Sequence, residues 1–159
     1  MIGNMKQTHR EKARELFLKG YNCSQAVFCA FAEDYGIDEQ LALKLSASFG
    51  GGIGRMRETC GAVCGAAMLA GLETGQTDCN DIEGKQRNYH AVQELARLFR
   101  EKNGSIKCSE LLKLRHDDAI SDQPDKRTAE YYRQRPCLKM VDTAVEIFEE
   151  MSSAERINR

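Results

Sequence analysis

Four cysteines stand where a thiol is easiest to ionise. Cys23 follows Asn22, Cys60 follows Thr59, Cys108 follows the Gly104-Ser105 turn and Cys137 follows Pro136, so each falls in the expected first turn of a helix. A sulfur placed there faces unpaired N–H groups and the positive end of the helix dipole, which favour the thiolate. Each cysteine also opens an apolar stripe at helical spacing: Cys23 with Ala26, Val27 and Ala30; Cys60 with Val63 and Ala67; Cys108 with Leu111 and Leu112; Cys137 with Met140, Val141 and Ala144. All four are therefore expected to point inward. If they meet, they supply the donor set of an iron–sulfur cluster or another metal ion. The intervals between them contain no CxxC pair, so spacing does not choose the metal. The competing reading is that a buried free cysteine simply packs as a small hydrophobe.

A second chemistry needs no metal. Cys60 would be the attacking thiolate of a thiol oxidoreductase, activated by its helix end and by Arg55 or Arg57, and Cys64, one turn later on the same face, or another of the four cysteines would resolve the mixed disulfide. The glycine-rich run before Cys60 adds a candidate binding element. Backbone amides around Gly51 and Gly52, with Arg55 beside them, can hold an anionic cofactor or substrate, although glycines there also serve simply to turn the chain and let backbone approach closely. Cys29 lies to the side of its stripe and Cys79 in a polar turn, where neither has an evident role. His9, His90 and His116 sit in charged surroundings at no ligand spacing.

The elements that must position these groups read as helices throughout, with two prolines, no tryptophan and few alternating β-branched runs. Expected helices cover about residues 8 to 19, 23 to 35, 38 to 49, 59 to 72, 81 to 102, a short one from 108, 128 to 134, and 136 to 151. Caps at Asn22 and Asp38 and stops at Gly20, Gly36 and Asn103-Gly104 mark several ends. Residues 115 to 126 are polar and read as a surface connection. The fold class is an all-α, compact multi-helix bundle of about seven to eight helices: residues 1 to 151 form a single cysteine-rich domain, and 152 to 159 a frayed tail.

Composition narrows the function. The 159 residues are 42% hydrophobic and 30% charged, with a formal net charge of -1, which offers nothing to a polyanion or an acidic membrane surface. No nucleic-acid partner and no membrane insertion are expected. Seven cysteines, an odd number, with no apolar run of signal-peptide length among the first residues, point to a cytoplasmic protein whose thiols stay reduced rather than to a disulfide framework. The expected partner is a redox protein or a small thiol or disulfide, and residual apolar surface on a helical bundle makes a homodimer a further expectation.

Several segments together resemble the C-GCAxxG-C-C family of redox-active proteins. They are Tyr21-Asn22-Cys23-Ser24-Gln25-Ala26-Val27, the run from Gly50 to Met56, Cys60-Gly61-Ala62-Val63-Cys64-Gly65-Ala66, Gly104-Ser105 with Cys108 and Leu111, and Arg135-Pro136-Cys137. The resemblance implies a helical domain whose characteristic cysteines are Cys23, Cys60, Cys108 and Cys137, the set already reached from helix position. The family is also similar to the helical domain of split-Soret cytochromes, which implies an iron–sulfur centre, but this chain has no CxxCH haem-attachment motif. Cys64 departs from the commoner family pattern.

Overall fold

The structure, a computed structural model, describes residues 5 to 157. Eight α-helices are present among them: α1 (His9–Lys19), α2 (Cys23–Phe31), α3 (Glu39–Ala47), α4 (Gly61–Thr74), α5 (Ile82–Asn103), α6 (Cys108–Leu111), α7 (Ala129–Gln134) and α8 (Cys137–Ile157). The all-α bundle is as expected, and among the described residues the β-structure is a single isolated bridge between Thr59 and Lys107.

Local chemistry explains most helix ends. Thr8 and Asn22 each close a capping box, with Glu11 and Gln25 respectively, and Asp38, Asp81 and Thr128 each accept an amide from the first turn of the helix they precede. Gly20 and Gly104 end α1 and α5 in the left-handed conformation, which glycine adopts without a Cβ penalty. The second expected helix stops early: α2 tightens into a 3-10 turn, Ala32–Tyr35, before Gly36. At the other end α8 continues past Met151, and Ser152 is buried with its hydroxyl donating to Glu73. The last two residues of the expected tail lie outside the described residues.

The apolar faces close over one core. Helix α2 packs between α1, α3, α4 and α8, and α4 packs against α5 and α8. Ala26, Val27, Phe31, Ala62, Ala66, Leu69, Val141, Ala144 and Val145 meet at its centre. Small residues let α2 and α4 approach closely: a Cβ added at Gly65 would stand 2.9 Å from the Ser24 carbonyl oxygen, and one added at Gly61 would stand 2.9 Å from the Phe49 carbonyl oxygen. Cys29 belongs to this core, 2% exposed, with its sulfur 3.9 Å from the Ser46 hydroxyl. No described helix is long and apolar enough to cross a membrane.

Candidate functional site

The starts of four helices border one cavity. Cys23 and Cys137 are the first residues of α2 and α8, Cys108 is the first of α6, and Cys60 is the N-cap of α4. All four line a cavity of about 480 Å³, together with the glycine-rich loop, α7 and the segment that leads into it. Two of the four are joined through the backbone. The Cys60 amide donates to the Ile106 carbonyl (2.7 Å) and the Cys108 amide to the Glu58 carbonyl (2.6 Å), flanking the Thr59–Lys107 bridge. The other two act on each other, since each of the Cys23 and Cys137 thiols shifts the acidity of its neighbour.

Acidity is distributed differently from what helix position alone suggests. Burial pushes the Cys60 thiol up to about 12, more than the amides of Ala62 and Val63 pull it down. Cys108 is raised by burial although the Arg57 guanidinium donates to its sulfur at 3.7 Å, and Cys64, outside the cavity, is pushed up to about 11 by burial. Cys64 donates to the Thr59 carbonyl at 3.7 Å. Cys137 alone moves the other way, down to about 7. The Cys23 thiol is the main cause, helped by the charges of Arg135 and Arg127 and by the Tyr131 hydroxyl, against the cost of burial. The same interaction holds the Cys23 thiol well above its ordinary range, with burial adding to the effect. Position at a helix start therefore does not by itself set the acidity of these thiols.

The glycine-rich loop is shaped to bring arginines to the cavity. Gly51, Gly52, Ile53, Gly54 and Arg55 all have φ between 56° and 72°, a full left-handed turn, and Arg57 follows at 63°. Left-handed geometry in a β-branched residue such as Ile53 is costly and persists only where the surroundings enforce it. Here Arg55, Arg57 and Glu58 donate their amides back to the carbonyls of Gly50, Gly51 and Gly52. Gly51, Gly52 and Arg55, the expected anion-binding residues, all line the cavity. The glycines also permit close approach, since a Cβ on Gly52 would stand 2.6 Å from that of Cys108 and one on Gly50 would run into the Asn22 side chain.

The polar connection before α7 is more than a surface tether. Asp125 receives three guanidinium groups on one oxygen, from Arg55 (3.1 Å), Arg135 (3.1 Å) and Arg57 (3.6 Å). Arg55 also donates to the Ser121 carbonyl at 2.7 Å, so residues 121 to 127 form a strap tied to the glycine-rich loop along the cavity wall. Arg127 donates to the carbonyls of Phe17 and Tyr21, both at 2.9 Å. Tyr131 lies between Arg127 and Arg135, 5.0 and 5.4 Å from its ring centre. Sequence reasoning missed Asp125, Arg127 and Tyr131. Asp125 carries no signal in the sequence, and that of the other two is the four-residue step from Arg127 to Tyr131 to Arg135, the spacing of one helix face.

A metal centre finds a matching donor chemistry but not a matching arrangement. Four thiols border the cavity, yet among the described residues no three or more His, Cys, Asp or Glu side chains are grouped so as to hold a metal ion. His9, moreover, is engaged far from the cavity, between Asp34 and Glu149 and stacked on Phe31.

The family model described as "Putative redox-active protein (C_GCAxxG_C_C)" matches residues 21 to 151, from the residue before the α2 cap to late in α8. The chain belongs to this family. No curated protein and no solved structure matches it. In this C_GCAxxG_C_C chain the matched stretch contains all four cavity cysteines and the arginines around them, while α1 lies before it.

Proposed function

We propose that this protein is a dithiol–disulfide redox protein in which Cys137 is the attacking thiolate and Cys23 the resolving thiol. The observation that carries this reading is the placing of Cys23 and Cys137, the first residues of α2 and α8, in one cavity that Arg135, Arg127 and Tyr131 border, where each thiol shifts the acidity of the other. Cys137 takes the role that helix position alone suggested for Cys60, because a nucleophile must be ionised near neutral pH.

The chemistry balances with a disulfide as oxidant. The Cys137 thiolate attacks one sulfur of RS–SR, the S–S bond breaks, and RS⁻ leaves and takes a proton from water. Cys23 then gives up its proton to solvent, and its sulfur attacks Cys137, breaking the mixed disulfide and releasing the second thiolate. Two electrons pass from the cysteine pair to RSSR, leaving a Cys23–Cys137 disulfide and two RSH; the reverse sequence reduces a disulfide substrate. Exposure of the reduced protein to 2-hydroxyethyl disulfide followed by peptide mapping tests the scheme. A Cys23–Cys137 crosslink should form in the parent chain, and a stable mixed disulfide on Cys137 should accumulate in Cys23→Ser. A mixed disulfide on Cys60 or Cys64 instead would reject the assignment.

A second reading has one specific observation in its favour, the shared cavity of Cys23, Cys60, Cys108 and Cys137. In this reading the four sulfurs hold an iron–sulfur cluster or other metal ion for electron transfer, with the surrounding arginines balancing the charge of an anionic centre. The present arrangement of donors speaks against it. Elemental analysis and acid-labile sulfide in protein purified without oxygen separate the two readings.

A further inference from the structure

The cavity lining carries Arg55, Arg57, Arg127 and Arg135 against Asp122 and Asp125, a surplus of two positive charges in a chain whose formal net charge is -1. A Cys137 thiolate would offset one of them. Arg127 is committed to the Phe17 and Tyr21 carbonyls, but Arg55, Arg57 and Arg135 converge on the single carboxylate of Asp125. That carboxylate rides on the strap that lines the cavity. It is 36% exposed, whereas the three arginines are 14% to 25% exposed. The guanidinium groups are therefore the fixed, enclosed partners and the acid the accessible one. They also line a neighbouring cavity of about 470 Å³ on their other side. Planar guanidinium forks of this kind match carboxylate and phosphate oxygens.

We infer that the cavity selects small disulfides carrying a carboxylate or phosphate group, which Arg55, Arg57 and Arg135 bind in place of Asp125. This rests on the dithiol–disulfide reading and adds the substrate class to it. Asp125 holds the arginines together and closes the strap when no substrate is bound. An incoming anion exchanges with it, which frees the strap and leaves the substrate's sulfur in the cavity with Cys137.

Three small disulfides that differ in end groups provide the test: 3,3'-dithiodipropionate (anionic), 2-hydroxyethyl disulfide (neutral) and cystamine (cationic). The rate of Cys23–Cys137 crosslinking is followed at low and high salt in the parent chain. The anionic compound should react about tenfold faster than the neutral one at low salt, and cystamine slowest, with the spread shrinking as salt screens the charges. The anionic-to-neutral rate ratio should fall severalfold in Arg55→Gln and rise in Asp125→Asn. Equal rates for the three disulfides in the parent chain would overturn the charge selection and leave the dithiol reading intact. Failure of all three to crosslink the pair would overturn both. Crosslinking by the phosphate-bearing disulfide of 2-mercaptoethyl phosphate, compared with dithiodipropionate, tells which anion the arginines prefer.

Discussion

The guanidinium carbon of Arg127 lies 4.4 Å above the centre of the Phe17 ring while the same group donates to the Phe17 carbonyl at 2.9 Å. One side chain thereby joins the strap to the C-terminal turn of α1, and through Tyr21 to the segment that leads into Cys23. Removing it as Arg127→Ala should take this donor from the Tyr21 carbonyl and leave the Phe17 carbonyl with the Gly20 amide, at a cost of roughly 2–4 kcal/mol with the lost ring contacts. A lysine cannot span both carbonyls, so Arg127→Lys should recover less than half of the loss, measured by urea unfolding. Parent-like stability of the lysine variant would show that charge alone, not the fork, matters.

The lowered pKa of Cys137 predicts a distinctive pH profile. Its rate of reaction with iodoacetamide, read by peptide mass, should climb through pH of about 7 and then level off. Cys60 should gain reactivity only as pH approaches about 12. In Cys23→Ala the main stabiliser of the thiolate is gone, and the Cys137 midpoint should move up by on the order of one pH unit. Exposed Cys79 serves as the reference for accessibility in the same digest. A Cys137 midpoint unmoved by the substitution would remove the case for a coupled pair.

Two loop glycines should respond very differently to alanine. At Gly52 a Cβ meets the Cys108 Cβ at 2.6 Å and the Glu58 amide nitrogen at 2.8 Å in a left-handed residue, so Gly52→Ala should lose roughly 3 kcal/mol or more and displace Cys108. Gly54 is equally left-handed but its nearest neighbour to a Cβ is the Ser48 oxygen at 3.9 Å. Gly54→Ala should therefore cost only about 1 kcal/mol, the penalty of the backbone conformation. Thermal unfolding of the two variants side by side checks the contrast.

Alkali should weaken the fold through Cys60. Its folded pKa lies above the ordinary value of 9.0, so the native state binds a proton that the unfolded chain releases. That contribution is complete below pH 9, declines as pH rises, and disappears near pH 12. By pH 10.5 the loss should be about 2 kcal/mol, and Cys60→Ala should flatten the slope of urea midpoint against pH over this interval. An unchanged slope would mean that other groups govern alkaline unfolding.

How much of this was readable beforehand depended on how local the cause was. Asn22, Asp38 and Asp81 cap helices through bonds within three residues, so their positions in the chain foretell helix starts, and with them the placing of Cys23 at the head of α2. The left-handed turn from Gly51 to Arg55 could not be foreseen at Ile53 and Arg55, whose intrinsic preference opposes it; the fold imposes it through amides tied back to Gly50, Gly51 and Gly52. Asp125 looked like part of a solvated connection because its partners Arg55 and Arg57 lie about seventy residues away. The reversal of acidity between Cys60 and Cys137 has the same origin. Both stand at a helix start, and only the packed arrangement decides at which one burial prevails and which is met by a thiol, a phenol and two arginines.

The pair of backbone bonds flanking Thr59 and Lys107 closes a neck. Everything from Gly61 to Ser105, the long α4–α5 hairpin, departs from and returns to that one point. The hairpin can therefore breathe at its far end, around residues 75 to 81, without letting its base separate. Amide protons of Cys60 and Cys108 should accordingly rank among the slowest to exchange with deuterium, even though one is a helix cap and the other opens a helix of four residues. One flank of the sulfur-lined chamber would then stay rigid whatever enters it.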